Sequence, residues 1–256
     1  MKGRMVRYSC LMLLLLLTSG PVQAQVYKTW LSVDGGYLHQ EVTPTGLRAP
    51  VYQTANGFSS GLSLYYADQG SYHLATFSYN RQNNPRLYPA DISSFTDRFL
   101  SLQVNYEYTY FHFRNVADLH LDLGSGPYLF VQNQITHLQA GANSSVENNH
   151  LLYGGGVNLV LRYRQPGFPL TARLNMVNGG FWGRQEVKQQ VDSEAEYKAN
   201  GWMSDISMNI AYRPAVNWKF YLRYNWSERL EYLYNEQQRR TYQGISLGIS
   251  FRLEDD

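Results

Sequence analysis

Residues Leu100 to Tyr110 read LSLQVNYEYTY, and this stretch decides the fold. Leu100, Leu102, Val104, Tyr106, Tyr108 and Tyr110 stand at every second position. Ser101, Gln103, Asn105, Glu107 and Thr109 fill the gaps. Successive side chains of a strand point to opposite faces, so one face here is apolar and the other polar. A helix would scatter both sets around its axis, so a period of two predicts a strand.

The same alternation recurs outward from this stretch in both directions. It is clear at 58–66, 157–163, 170–176, 202–212, 220–226 and 245–251, and weaker near 26–39, 72–81 and 118–132. That makes about ten strands, with eight or twelve as alternatives, each near the roughly 9–11 residues a tilted strand needs to cross a bilayer. The segments between them alternate in length. Long ones fall near 40–56, 82–97, 133–150, 178–198 and 229–241, and short ones near 67–71, 111–117, 164–169 and 213–218. Membrane barrels have short turns at one end and longer loops at the other. The expectation is an all-β fold, an antiparallel up-and-down transmembrane β-barrel.

Composition agrees. Mean hydropathy is −0.41, which suits a barrel whose strands turn half their residues to a polar interior. Aromatics make up 15% of the chain, and Tyr and Trp favour the boundary between lipid and water. Tyr66, Tyr108, Tyr110, Tyr163, Tyr212, Trp218 and Phe251 fall near the short turns and predict an aromatic girdle there, with Phe168 beside them. Trp182, Trp202 and Trp226 predict a second girdle toward the long loops. The net charge is only +2 and the basic residues are scattered, which argues against nucleic-acid binding.

Lys2, Arg4 and Arg7, the apolar run Leu11–Leu17 and the Val22-Gln23-Ala24 site predict a cleaved signal peptide over 1–24. Residues 25–256 are then a single barrel domain. Cys10, the one cysteine, lies in the leader, so no thiolate metal site, disulfide or cofactor is expected in the mature chain.

The last strand carries a resemblance. Ser246, Gly248, Phe251 and Leu253 resemble the C-terminal assembly signal of bacterial outer-membrane β-barrel proteins, with Glu254, Asp255 and Asp256 added beyond it. The resemblance implies an outer-membrane location and insertion by the barrel-assembly machinery. It singles out no subfamily.

The predicted lumen face carries Glu107, Asp122 and Asp205 against Arg162, Arg173 and Arg223. Equal numbers read as an ion-pair network that fills the bore, whereas a selectivity filter shows an excess of one sign. Small barrels are narrow enough for side chains to fill. No HExxH, GxSxG or phosphate-loop motif occurs, so no catalytic or metal residue is assigned. His120 and Asp122 share a strand face and are expected in the lumen network. His73 is expected to face lipid, and His112 to lie in a short turn. His39, His137 and His150 are expected as solvated loop residues. The reading is a monomeric structural or surface-interaction barrel, surrounded by outer-membrane lipid and meeting any extracellular ligand through its long loops. A narrow solute channel is the first alternative, and a barrel hydrolase the second. Of the loops, 185–197 has the mix for a short surface helix, and 230–242 combines Tyr232 and Tyr234 with Arg239 and Arg240.

Overall fold

The computed structural model describes residues 28–44, 53–67, 70–87, 98–116, 119–139, 145–165, 168–189, 194–233 and 236–253. The predicted signal peptide, 1–24, and the acidic residues 254–256 lie outside them.

Ten antiparallel strands follow one another: β1 (Lys28–Pro44), β2 (Gln53–Ala67), β3 (Ser71–Leu87), β4 (Arg98–Val116), β5 (Leu121–Gln139), β6 (Ser145–Arg164), β7 (Leu170–Gln189), β8 (Glu194–Ala215), β9 (Trp218–Leu233) and β10 (Glu236–Arg252). Each pairs with its neighbours in sequence, and β1 pairs with β10 from Trp30–Arg252 to Pro44–Gln238. The sheet therefore closes on itself and leaves no edge. A span through lipid requires this, because hydrocarbon offers nothing to satisfy an unpaired backbone group.

The alternation sorts the side chains as the sequence predicts. Leu102, Val104 and Tyr110 of β4 are exposed on the outside, whereas Ser101, Glu107 and Thr109 are buried in the bore. Val157 of β6 is 63% exposed, and Asn158 beside it is fully buried. In an ordinary core this would be inverted. Here the outer solvent is lipid. The aromatics mark its limits. On β8, exposed Trp202 and Tyr212 stand ten positions apart on the outer face. That spacing is about 33 Å along the strand and about 25 Å across the membrane at a tilt near 40°, the height of an apolar belt.

At the short-turn end, Tyr66 packs against His73, and His73 against Tyr108. Trp218 meets Phe251 edge-on, with ring centroids 4.3 Å apart. Tyr110 and Tyr212 are exposed, and the Tyr163 hydroxyl donates to Gln165. At the other end the outer face carries Tyr37, Phe58, Tyr153, Trp182 and Trp202, all exposed.

The strands are longer than their patterned cores. β8 runs 22 residues, and its eight residues before Trp202 rise roughly 20 Å above the outer girdle at ~3.3 Å each and the same tilt. This corrects the expected loops. Residues 185–189 and 194–197, expected to form a helix, belong to β7 and β8. The connection expected over 229–241 reduces to 234–235. Above the membrane both faces of the wall meet water, so the apolar alternation fades while backbone pairing continues. The short-turn end also departs locally. Asn115 and His120 flank the β4–β5 turn at φ 50° and 57°, a left-handed region that Asn and His tolerate better than most residues. The Asn115 side chain accepts the His120 N–H at 3.0 Å, so His120 sits in the turn and not in the lumen network.

Candidate functional site

The bore is crossed by side chains at two levels. The inner level centres on Glu107 of β4. Its carboxylate accepts from the Tyr72 hydroxyl, from Arg173 Nη2, from Asn175 Nδ2 at 2.9 Å and from Thr109 Oγ1 at 3.3 Å. The Arg173 guanidinium also lies 4.5 Å from the Tyr72 ring centroid. β3, β4 and β7 are thereby tied together through the interior. Toward the short turns, Arg162 donates Nε and Nη2 to Asp122 Oδ2 at 3.1 and 2.7 Å and covers the Phe111 ring at 3.9 Å. Buried Tyr72, Phe111 and Val160 pack together here, so the inner level is a cation–aromatic plug.

Of the six charges predicted to line the lumen, four meet as Glu107–Arg173 and Asp122–Arg162. Arg223 meets Asp34 instead, at 3.3 Å, and the Tyr221 hydroxyl donates to the same carboxylate at 2.9 Å. Asp205 accepts from Ser227 Oγ and stands in no ion pair among the described residues. Sequence reading missed Asp34 because Gly35 breaks the apolar half of the alternation and Gly36, on the bore face, the polar half. The glycines of this region have a spatial role. A Cβ on Gly61 would lie 2.9 Å from Asp34 Oδ1, and one on Gly248 would overlap the Tyr221 ring. Gly248 and buried Ser246 of the predicted assembly signal face the bore, whereas Phe251 and exposed Leu253 fall on the outer face.

The outer level joins β5 and β6 to β9 and β10. Arg229 donates to Gln132, whose amide donates to Ser101 at 2.8 Å. Arg240 donates to Gln134 at 3.1 Å, and Gln134 donates to the Tyr242 hydroxyl at 3.2 Å. In the closed order β5 and β10 are five places apart in a ring of ten, so these bonds span the full bore. Glu231 sits between His150 Nε2 at 2.7 Å and Arg240 Nε at 3.0 Å. His150 and Glu231 are buried, at 3% and 1% exposure. His150 is therefore a lumen residue and not a solvated loop histidine. Its neighbours Asn149 and Leu151 gave no clear alternation to reveal this. His112 is also placed in a strand, β4, where its Nε2 lies 2.8 Å from Ser125 Oγ.

The lumen is not polar throughout. Tyr128, Phe130, Leu152, Val177, Phe181, Ala199 and Met203 form a buried apolar cluster on the inner face of β5–β8. Gly154 and Gly201 make room for it, because a Cβ there would lie 2.6 Å from Phe130 and 2.5 Å from Phe181. An apolar fill excludes water from that half of the bore. The other half holds a cavity of about 240 Å³ between the two levels, bordered by Asn80, Asn105, Asp205, Asn209 and Asn225. At about 30 Å³ per molecule it would take some eight waters.

No protein-family model matches the chain, and no curated protein matches it. Similar solved structures are outer-membrane barrels. The outer membrane protease OmpT from Escherichia coli superimposes with a TM-score of 0.53 at 8% identity, covering 90% of this chain and 99% of that one. Neisserial surface protein A gives 0.42 at 11%, covering 90% and 100%. An outer membrane channel from Pseudomonas putida F1 gives 0.43 at 13%, covering 91% and 99%. The likeness is one of fold. The chain shares with them the closed antiparallel β-barrel, here with an apolar outer belt.

Proposed function

We propose that the protein is a non-conducting, monomeric barrel that serves the envelope structurally and meets extracellular partners through its raised outer wall. The observation that carries this reading is the pair of side-chain bridges across the bore, Glu107–Arg173 within and Arg240–Gln134 above. An open diffusion channel keeps its lumen charges on the walls and its axis clear. Here the charges meet one another across it. The expected result in planar bilayers is no stepwise conductance from the parent protein. Arg162→Ala, Arg173→Ala, Arg229→Ala and Arg240→Ala combined should introduce steps, because both levels then lose their cations. Steps of equal size in parent and variant would overturn the reading.

The wall above the outer girdle supports the contact role, since rigid pairing carries the β7–β8 hairpin about 20 Å outward, by the strand rise and tilt used above. With no thiol expected in the mature chain, introduced cysteines report orientation cleanly. Lys188→Cys, exposed near the tip of β7, should react on intact cells with a membrane-impermeant maleimide. Asn217→Cys, in the β8–β9 turn, should not. Labelling of Asn217→Cys alone would invert the barrel. Insertion through the predicted C-terminal signal belongs to the same proposal. Phe251 packs outward on Trp218, where an assembly factor can read it before the barrel closes.

A further inference from the structure

We infer that the polar cavity between the two levels of the bore is a binding site for a small uncharged polyhydroxylated solute, a single sugar ring or a polyol of similar size.

The cavity measures about 240 Å³ and is lined by two facing sets of carboxamides and hydroxyls. Asn80 of β3 and Asn105 of β4 belong to one set, Asn209 of β8 and Asn225 of β9 to the other. In the closed ring of ten, β3 lies five places from β8 and β4 five from β9, so the two sets oppose each other across the bore. Parity turns all four inward, on the same faces as buried Gln82, Glu107, Met203 and Arg229. Asn105 accepts from Gln103 at 2.6 Å, which leaves its amide N–H groups to the cavity. The side chains of Asn80, Asn209 and Asn225 bond to no protein group among the described residues, and none of the three is fully buried. Asp205 accepts from Ser227 through one carboxylate oxygen and borders the cavity between these sets.

The charges around the cavity cancel. Asp34, Glu107 and Asp205 stand against Arg173, Arg223 and Arg229, and Asp34 and Glu107 already hold Arg223 and Arg173. A charged solute would have to break one of those pairs. An apolar solute would desolvate the carboxamides and return no hydrogen bond. A hydroxyl donates and accepts at once, and so does a carboxamide, so a ring of hydroxyls can bond both sets together. Tyr128 and Tyr242 add apolar surface for the carbon side of such a ring. Space for about eight waters is enough for one hexose, whose covalently bonded atoms pack more closely than liquid water.

Entry is from the outer end. The bonds that span the bore there run from Arg229 to Gln132 and from Arg240 to Gln134, cation to neutral amide. The inner level is held by carboxylate–arginine pairs over packed aromatic rings, and these part at higher cost. The site needs only one mouth to open, so it stands whether or not the barrel conducts.

The test titrates glucose and sorbitol against the folded full chain in a sugar-free detergent, with saturation-transfer NMR as the readout. Folding of every protein is verified by heat-modifiable gel mobility. Saturable binding of at least one of the two is expected. Gluconate, the carboxylate counterpart of sorbitol, should bind about tenfold more weakly or worse, because its charge finds no free partner. Asn209→Leu should weaken binding about tenfold, since a solute hydroxyl is left unpaired. Ser78→Phe, which fills the cavity from β3, should abolish it. Lys188→Gln, exposed near the tip of β7, should leave it unchanged. If the folded chain binds neither glucose nor sorbitol, the cavity holds water alone and the site is overturned. Full-strength binding by either folded cavity variant, or gluconate binding as tightly as sorbitol, overturns it as well. Single-channel conductance reads the plug and bears on none of these outcomes.

Discussion

Arg173→Ala should lower the stability of the folded barrel by about 3–5 kcal/mol, the cost of leaving one charge of a buried pair without its partner. Glu107 is 4% exposed and collects Tyr72, Asn175 and Arg173 on its two oxygens. Removing the guanidinium leaves an anion in the bore beside aromatic rings. Urea unfolding in lipid vesicles, followed by gel mobility, measures the loss. Glu107→Gln strands the Arg173 cation instead and should cost less, because the amide oxygen keeps one acceptor for Tyr72 and Arg173, and Arg173 still covers the Tyr72 ring. Arg173→Ala combined with Glu107→Gln should cost less than the sum of the two, since both changes act on one network. Additive effects would show that Arg173 and Glu107 do not sustain each other, and the inner level would then be packing alone.

Val157→Arg should cost about 2–4 kcal/mol, the penalty for a cation near the middle of the lipid face. Val157 lies four positions below Tyr153 and six above Tyr163 on the outer face of β6. Tyr232→Arg, exposed on β9 above the belt, should cost roughly 0–1 kcal/mol by the same depth dependence. The contrast matters because both residues are comparably exposed, at 63% and 49%, and in water would be equivalent. Equal costs in vesicle unfolding would mean that the belt lies elsewhere on the wall.

Legibility in the sequence followed the solvent. Between the girdles one face of each strand meets lipid and the other meets the bore, so the 100–110 stretch shows its strand without ambiguity. Above the outer girdle, Gln185, Glu186, Glu196 and Tyr197 have water available on both sides, and their polar run looks like a loop although it is paired sheet. His150, Glu231 and Arg240 fall in such runs, which is why the outer level of the bore stayed invisible. Asp34 was hidden differently, by Gly35 and Gly36, which leave one gap in each face of its strand. The apolar cluster on β5–β8 shows the reverse failure. Phe130 and Phe181 are as apolar as their outward neighbours, so nothing local separates inside from outside there.

The sequence by itself determined that the chain is a barrel of about ten tilted strands, because the period of two and the spacing of aromatics are local properties set by the bilayer. Where the alternation is clear it also assigned Glu107, Asp122, Asp205, Arg162, Arg173 and Arg223 to the bore face, because parity along a strand decides the face, but it did not reach Asp34, Arg229, Glu231 or Arg240. Only the tertiary structure decided which charges meet. Glu107 and Arg173 lie 66 residues apart, and Arg223 and Asp34 lie 189 apart. Closing β1 on β10 sets the register that brings such residues across the bore.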